Sequence, residues 1–552
     1  MKKMLLCGFM LCLSLWAFAQ RSIQGSVKDE TGQPVIGATI LVSGTQQGTT
    51  TNDEGHFTLT VPENARQLEV RSIGFQPVTI PLTEAGSYTI TLHPAAQSLN
   101  QVVVTALGIR RDVRSLGYAS QEVSAQELTV SHQPNLVNAL QGRVAGVTIG
   151  STGGGPGQGA SILIRGINSL DPGKNNQPLF VVDGIPIDNS TSVLGTTGGR
   201  GVQMPNRAAD INPDDIESIT VLRGGAATAL YGLRGANGVI VITTKSAKAG
   251  QLRVSYDANY SRDEIDKTPK VQSIYTQGYA GVYDSTSFWP NWGPTVEEAR
   301  KQDPTHPAKL FDHYKHAYIH GNQFRNTLNL SGGTDKASMS SSLSYFKQNG
   351  VLPFTYYQNI SARLSGKLVL SKQVETGTTI LYANAGGNFY DADRFNEEMT
   401  YWAPRWDVRD YLTPEGTEKT YGNGNAWYKA ATNKFKSYVN HIIASSYFSY
   451  QPFGWMNITY RLGIDAYQDN RTATAPGPKG IPGEYVDDDN GQGFVHKYGT
   501  NYRQVNSNLL LTLQHQWGKL NTTLRLGHDL LDRATDEVAT EGDELNVYNL
   551  FT

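Results

Sequence analysis

Clusters of glycine, histidine and carboxylate are where chemistry would sit in these 552 residues, and none of them has the spacing that chemistry needs. Gly155-Pro156-Gly157-Gln158-Gly159-Ala160 fits G-x-G-x-x-A, a loop that holds a pyrophosphate at the N-terminus of the helix after it. The next residues here are Ser161-Ile162-Leu163-Ile164-Arg165, an apolar run that predicts a strand, so no helix terminus is on offer. Gly166 to Lys174 lacks Walker spacing, because Asn168 stands at the position of the first glycine. His313 and His316 lie three apart in a loop-like stretch with no evident third ligand and read as solvated surface. Glu484 with Asp487-Asp488-Asp489-Asn490-Gly491 supplies calcium-type oxygens, though not at EF-hand spacing, and reads as an acidic solvated loop. No H-E-x-x-H and no G-x-S-x-G occurs. The expectation is a protein that is not an enzyme, with no catalytic residues, no metal site and no cofactor.

The elements around these clusters are built from a β-rich composition. Charged residues make up 17% of the chain, against the ~25% usual in soluble globular proteins. The 57 glycines exceed a tenth of the residues, which favours turns and strands over long helices. Lys+Arg 47 against Asp+Glu 49 leaves a net charge of −2, so no nucleic-acid partner is expected. Length alone allows three or four domains, or fewer if one is a large barrel. Residues 1–19 have the layout of a secretory signal: Lys2 and Lys3, an apolar run from Met4 to Trp16, then Ala17-Phe18-Ala19 as an A-x-A cleavage site. Both cysteines, Cys7 and Cys12, fall inside it, so the mature chain has no disulfide or thiolate chemistry. With Leu6 and Leu11 before the cysteines, lipidation is not expected. No later stretch approaches a spanning helix, which leaves a soluble exported protein or a closed barrel.

Residues 20–95 read as a small β-sandwich. Its strands are Ile23 to Val27, Pro34 to Val42, Phe57 to Val61, Leu68 to Val70 and Tyr88 to Leu92, with a turn at Asn52-Asp53-Glu54-Gly55. The order G-x-V, P-V-x-G-A-T-I-x-V, T-x-x-x-G-x-F resembles the carboxypeptidase-regulatory-like domain, a non-catalytic accessory fold. In the next segment, residues 96–106, Val102, Val103 and Val104 lie between polar flanks. This is either an ordinary strand or an extended segment that offers its backbone to another protein's sheet edge.

Residues 107–246 read as a glycine-rich α/β unit. A short helix is expected over Pro134 to Gln141. A second should start at Asn212-Pro213-Asp214-Asp215-Ile216-Glu217, with Asn212 as cap, Pro213 in the first turn and acids at the positive dipole end. Strands are expected at Ser218 to Leu222 and Val239 to Thr244, with a turn or short helix around Ala226 to Tyr231. Beyond Lys245 the texture is one-face-apolar alternation over about ten residues, the outer-membrane strand pattern. Ile458, Tyr460, Leu462, Ile464 and Ala466 alternate with Thr459, Arg461, Gly463 and Asp465; Leu509 to Leu513 and Leu520 to Leu526 repeat the pattern. Arg461, Asp465 and Arg525 would face a wet lumen, and Tyr447, Phe448, Tyr450, Trp455 and Trp517 would form interfacial girdles against outer-membrane lipid. A soluble all-β domain is the alternative reading.

One family matches these motifs in order. Leu140 to Val147, Ile164-Arg165-Gly166, Pro178 to Ile187 with Asp183-Gly184 at its centre, and Ile211 to Ile219 come first. Val221-Leu222-Arg223-Gly224, Tyr231-Gly232 and Arg234-Gly235-Ala236-Asn237-Gly238-Val239-Ile240 complete the series. Together they resemble the plug domain of SusC/RagA-type TonB-dependent outer-membrane transporters, with the sandwich as that family's N-terminal extension. The resemblance implies a mainly-β chain: sandwich, α/β plug, and transmembrane antiparallel barrel over residues 247–552. It implies that Asn100, Gln101, Val102, Val103, Val104, Thr105 and Ala106 form a TonB-binding box, although the acidic residue often found at its start is absent. It also implies that Arg165 and Arg223 pair with barrel glutamates.

The resemblance carries a function as an expectation: TonB-driven import of an oligosaccharide or peptide across the bacterial outer membrane. TonB, with its ExbB/ExbD motor, and a SusD-like surface lipoprotein would be partners. A receptor or adhesion module that binds without transport is the alternative. Size complicates the match. Residues 247–552 hold nine or ten strand candidates by eye, where such transporters have roughly 22 strands. A plug of this length has a radius of gyration near ~14 Å, whereas a ten-stranded barrel would have a radius of about 10 Å. The plug would not fit inside, so the barrel portion is expected to be an incomplete arc.

Overall fold

The computed structural model describes residues 20–551, except 44, 46, 63–64, 73–74, 84–85, 94–101, 105–109, 113–119, 131–132, 134, 152–154, 158, 172–175, 191–192, 198–199, 225–226, 228–230, 247–248, 287–290, 422, 487–491 and 519. The signal segment with its cysteines therefore lies outside the described residues. The chain divides into two compact units, the first residues up to 102 with 112–114 and the second residues 103–111 with 115 onward.

The first unit is a sandwich of β1 (Gln20–Asp29), β2 (Thr39–Val42), β3 (Gly48–Thr50), β4 (His56–Pro62), β5 (Gln67–Arg71), β6 (Val78–Pro81) and β7 (Ser87–Leu92). One sheet runs β4-β1-β7, the other β3-β2-β5-β6. Period-two alternation sends Phe57, Leu59 and Val61 inward onto Ile23, Val27, Ile40 and Val70. The strand expected from Pro34 begins only at Thr39. Gly37 is left-handed (φ +69°), and the Thr51 hydroxyl donates to Val35 O and accepts from Ala38 N, making a turn of Val35–Ala38. Two strands escaped the sequence reading, β3 and β6, which are three and four residues long and largely exposed.

After it, β8 (Val102–Val104) pairs with β9 (Arg110–Asp112). The second unit opens with the α/β portion. Its five-stranded sheet runs β10 (Ser120–Ser124), β17 (Ile216–Leu222), β18 (Val239–Thr244), β13 (Leu179–Val182) and β14 (Ile185–Ile187), with only β13 and β18 parallel. Two small ladders accompany it, β11 (Val147–Ser151) with β12 (Ala160–Ile164), and β15 (Val193–Thr197) with β16 (Arg200–Gln203). A helix over Leu136–Ala139, capped by the Asn135 side chain, matches the expected one. Leu136, Leu140, Ile162, Phe180, Ile219 and Ile240 are fully buried at the centre.

The helix expected from Asn212 is a single 3₁₀ turn, Pro213–Asp215. Asn212 does cap it, accepting from Asp214 N at 3.1 Å. Ile216 and Glu217 belong instead to β17, because Ile216 already pairs with Thr244 of β18 and ladder bonds claim the backbone.

The remainder is a nine-stranded antiparallel sheet in sequence order: β19 (Gly250–Asp263), β22 (Gly321–Gly333), β23 (Ala337–Asn349), β24 (Tyr356–Val369), β25 (Val374–Phe389), β26 (Lys434–Phe453), β27 (Met456–Ala475), β28 (Phe494–Trp517) and β29 (Leu520–Asp543). A two-residue pair, β20 (Gly278–Tyr279) with β21 (Val282–Tyr283), sits in the first long loop. β19 and β29 are the edges and do not pair, so the sheet is an open arc. Short turns, such as 334–336 and 454–455, lie at one end and long connections, such as 264–320 and 390–433, at the other. That asymmetry is the periplasmic-turn, extracellular-loop arrangement of outer-membrane barrels. The strands reach 24 residues in β28 and β29, far beyond the expected ten, because pairing continues past the apolar band that the sequence pattern marks. Leu343, Ile360, Leu364, Tyr460, Leu462 and Leu509 point outward and are exposed, whereas Ser342, Arg363, His441, Asp465 and Asn508 point inward and are buried. Among the described residues no helix is long and apolar enough to cross a membrane.

Candidate transport site: the plug against the wall

Of the expected TonB box, Asn100, Gln101, Thr105 and Ala106 lie outside the described residues. Val102, Val103 and Val104 form β8, a three-residue strand whose partner in the two-stranded sheet is β9. A two-stranded ladder of that length is marginal by itself.

The motif residues of the α/β portion make its turns. Asp183-Gly184 joins β13 to β14 with φ +48° and +85°. Positive φ at both positions is the type I′ hairpin, for which Asp-Gly is a preferred pair. The Asp183 carboxylate accepts from Thr244 N at 2.9 Å and Thr244 Oγ1 at 2.7 Å, fastening the hairpin to β18. Burial raises its pKa above the ordinary carboxylate value despite those bonds and the nearby Arg363 and Arg461. A Cβ on Gly184 would stand 2.5 Å from an Arg461 guanidinium nitrogen, so the wall arginine lies over the hairpin in its present position because the turn has no side chain there. Arg165-Gly166 forms a similar turn, with φ +62° and +91°.

The remaining motif residues hold the same body together. Gly224 lies beneath the Arg165 guanidinium, and Gly232 and Gly235 bound a 3₁₀ turn. Asn237 accepts from Asn168 Nδ2 at 2.9 Å, and Gly238 leads into β18 against Ile164. Arg223 donates to Ala145 O at 2.6 Å. Among the described residues no ion pair joins Arg165 or Arg223 to a glutamate of the wall, and the contacts they make lie within the plug.

The polar contacts that do join plug to wall were missed by the sequence reading. Arg363 of β24 reaches Asp215 at 3.1 Å, and the Ser342 hydroxyl donates to the same carboxylate. Thr327 donates to Asp214 at 2.8 Å. His441 of β26 lies 2.9 Å from Asp210 through Nδ1 and 2.8 Å from Asp465 through Nε2. Arg207 lies 3.2 Å from Asp210 and 3.8 Å from Asp469. Asp465 also accepts from Asp188 N at 2.8 Å, and Gln504 donates to Pro186 O. The available signal was the recurrence of charge on inward positions of alternating strands; nothing in the sequence indicated their plug partners.

Below this interface, toward the short turns, a recess of about 790 Å³ opens between β18 and the inner faces of β24 to β29. Thr243, Thr379, Ser445, Asn457, Asn508 and Gln514 contribute hydroxyl and amide groups, and Arg461 and Arg525 line it as expected. Asp465 does not: it is fully buried against the plug rather than facing water. Tyr447, expected in a girdle, points inward and donates to Glu375 at 2.7 Å. Phe448, Tyr450, Trp455 and Trp517 do face outward and are exposed.

The clusters set aside in the sequence are structural. β12 begins at Ala160, the last residue of Gly155 to Ala160, and Gly157 N donates to wall Gln348 at 3.0 Å, so the segment seats the plug. His313 is not solvated: it opens a short helix, His313–Ala317, and is buried, which lowers its pKa to about 4. Glu484 accepts from Gly480 N at 2.9 Å, while residues 487–491 lie outside the described residues. Among the described residues no group of three or more metal-ligating side chains occurs.

A plug seated by buried polar contacts on the inner face of an outer-membrane sheet defines a TonB-dependent receptor. Comparisons with known proteins agree: residues 112–239 match the TonB-dependent receptor plug domain and residues 23–104 the CarboxypepD_reg-like domain. The TonB-dependent receptor SusC of Bacteroides thetaiotaomicron is 33% identical over 368 residues, covering 66% of this chain and 33% of SusC. The TonB-dependent receptor P26 of Formosa agariphila is 27% identical over 481 residues, covering 83% of this chain and 44% of that receptor. In fold, the RagAB peptide importer in its open-open state superposes with a TM-score of 0.61 at 20% identity, covering 82% of this chain and 52% of that one. The chain belongs to the SusC/RagA type of TonB-dependent outer-membrane transporters, and it spans about a third to a half of the relatives it matches.

Proposed function

We propose that the protein takes part in TonB-dependent uptake of a nutrient, an oligosaccharide or a peptide, across the outer membrane. The observation that carries this reading is a plug fastened to the wall by polar side chains above a hydrophilic recess. Polar contacts of that kind can be exchanged for water when the plug shifts, and the hydroxyl and amide groups below it suit a hydrophilic solute. Substrate would bind on the extracellular side, beneath a SusD-like lipoprotein. TonB, energised by its ExbB/ExbD motor, would add a strand to the box at Asn100 to Ala106 and pull.

A deletion strain supplied with a panel of labelled glycans and peptides tests the reading. Uptake of one class should disappear on deletion and on depletion of TonB, and return with the gene. Surface binding that persists unchanged without TonB and never leads to uptake would instead establish the receptor or adhesion reading.

A further inference from the structure

We propose that His441, held as an imidazolium between Asp210 of the plug and Asp465 of the wall, is the positioning residue that fastens the plug to the barrel. This rests on the transport reading above, since only a plug that moves needs a fastening that can come undone.

The ring is buried, with both nitrogens within 2.9 Å of a carboxylate oxygen. A neutral imidazole carries one N–H and one lone pair, and a lone pair aimed at a carboxylate is repelled. The two carboxylates are also acceptors or ion partners elsewhere. Asp465 takes the Asp188 N–H on its other oxygen, and Asp210 faces Arg207 at 3.2 Å. The ring must therefore donate on both sides, which makes it a cation with charge-assisted bonds to two different bodies.

The ion-paired carboxylates around it are matched by cations only in that state. From the plug come Arg207 and Asp210; from β27 come Asp465, Asp469 and Arg471, the last 2.5 Å from Asp469. With His441 charged, three cations meet three anions. With it neutral, an uncompensated carboxylate would be buried at the plug–wall boundary, at a cost far above that of a lost neutral hydrogen bond. The other groups nearby have their own partners. Asp188 accepts from Tyr467 Oη at 2.8 Å and from Ser190, Asp215, which lines the same small cleft as His441, pairs with Arg363, and Ala383 is the β25 neighbour. A bridge between the plug and the wall sheet suits a fastening better than an apolar contact does, because its strength depends on a short distance that any shift of the plug destroys.

Amide hydrogen exchange of the transporter in native outer-membrane vesicles reads the fastening directly, through Arg207–Asp210 and Ile216–Leu222. His441→Gln should speed exchange there by at least about tenfold, and Asp210→Asn by a similar factor. The double variant should be no faster than about twofold over either single variant, because all three break the same bridge. His441→Lys keeps the charge and should remain within about threefold of the native protein. Exchange in the sandwich strands is the internal control and should not move. Native-like exchange in His441→Gln, additive effects in the double variant, or a lysine as fast as the glutamine would each overturn the proposal. If His441→Gln does not assemble, Asp465→Asn poses the same question from the wall. Failure of the transport reading is separately visible: exchange would respond as stated while uptake by the native protein proved independent of TonB.

Discussion

Gly463 shows how much a single position on the wall matters to the plug. A Cβ there would stand 2.1 Å from Ile185 Cδ1, so the hairpin closed by Asp183-Gly184 reaches β27 only because the wall has no side chain at that point. Gly463→Leu should lower the plug's resistance to local opening by ~1–3 kcal/mol, the usual cost of overpacking. Native-state exchange of β13 and β14 measures it, and an unchanged rate would show that the wall yields. His313 makes a pH-dependent prediction in the extracellular loops. Its pKa falls from 6.5 to about 4 because burial disfavours the charged ring. The unfolded loop therefore binds more protons than the folded one between those values, so the loop loses stability as pH falls from about 6.5 to 4 and changes no further below. Limited proteolysis of the 312–318 segment at pH 7 and at pH 4.5 should show faster cleavage at the lower value. Residues such as Asp183 and Gly184 were legible because a two-residue turn with positive φ has few solutions. His441 and Asp210 were not: they lie 231 positions apart, and a lone histidine or aspartate carries no pattern.

At the scale of elements, alternation located the wall strands but not their ends. Leu509 to Leu513 and Leu520 to Leu526 do pair, Leu513 with Leu524, yet the ladder continues through residues whose outward face is no longer apolar. The signal read from sequence is burial in lipid, while the strand is defined by backbone bonding, which extends into the loops. The Asn212 turn shows the converse error. Its capping chemistry was right, but propensity could not reveal that β18 would take Ile216 into a ladder. The segment with the sharpest test is β8. Val103→Pro removes a backbone donor and bends the chain, so strand addition by TonB should fail. Uptake should fall to the level of a TonB-depleted strain while substrate binding is retained; uptake that survives would place the box elsewhere.

The whole molecule raises the question of its open edges. β19 and β29 bound the nine-stranded sheet without pairing to each other. In lipid, the ~10 residues of each edge strand that cross the apolar core would leave roughly ten backbone N–H and C=O groups facing hydrocarbon. At several kcal/mol for each, the two edges together cost tens of kcal/mol, well above the ~5–15 kcal/mol that stabilises a typical fold. β29 is also exposed on both faces along most of its length, and the plug reaches it through Arg234, whose guanidinium lies 3.9 Å from Asp529. Further strands must cover both edges before this sheet is stable in a membrane. Refolded alone into detergent, these 552 residues should aggregate or migrate on a gel at one position whether heated or not. Addition of a polypeptide carrying the complementary strands should produce a heat-modifiable band, the mark of a closed barrel. A heat-modifiable band from the chain alone, with substrate-dependent conductance, would show that β19 and β29 can close on each other and would refute the account of an open arc.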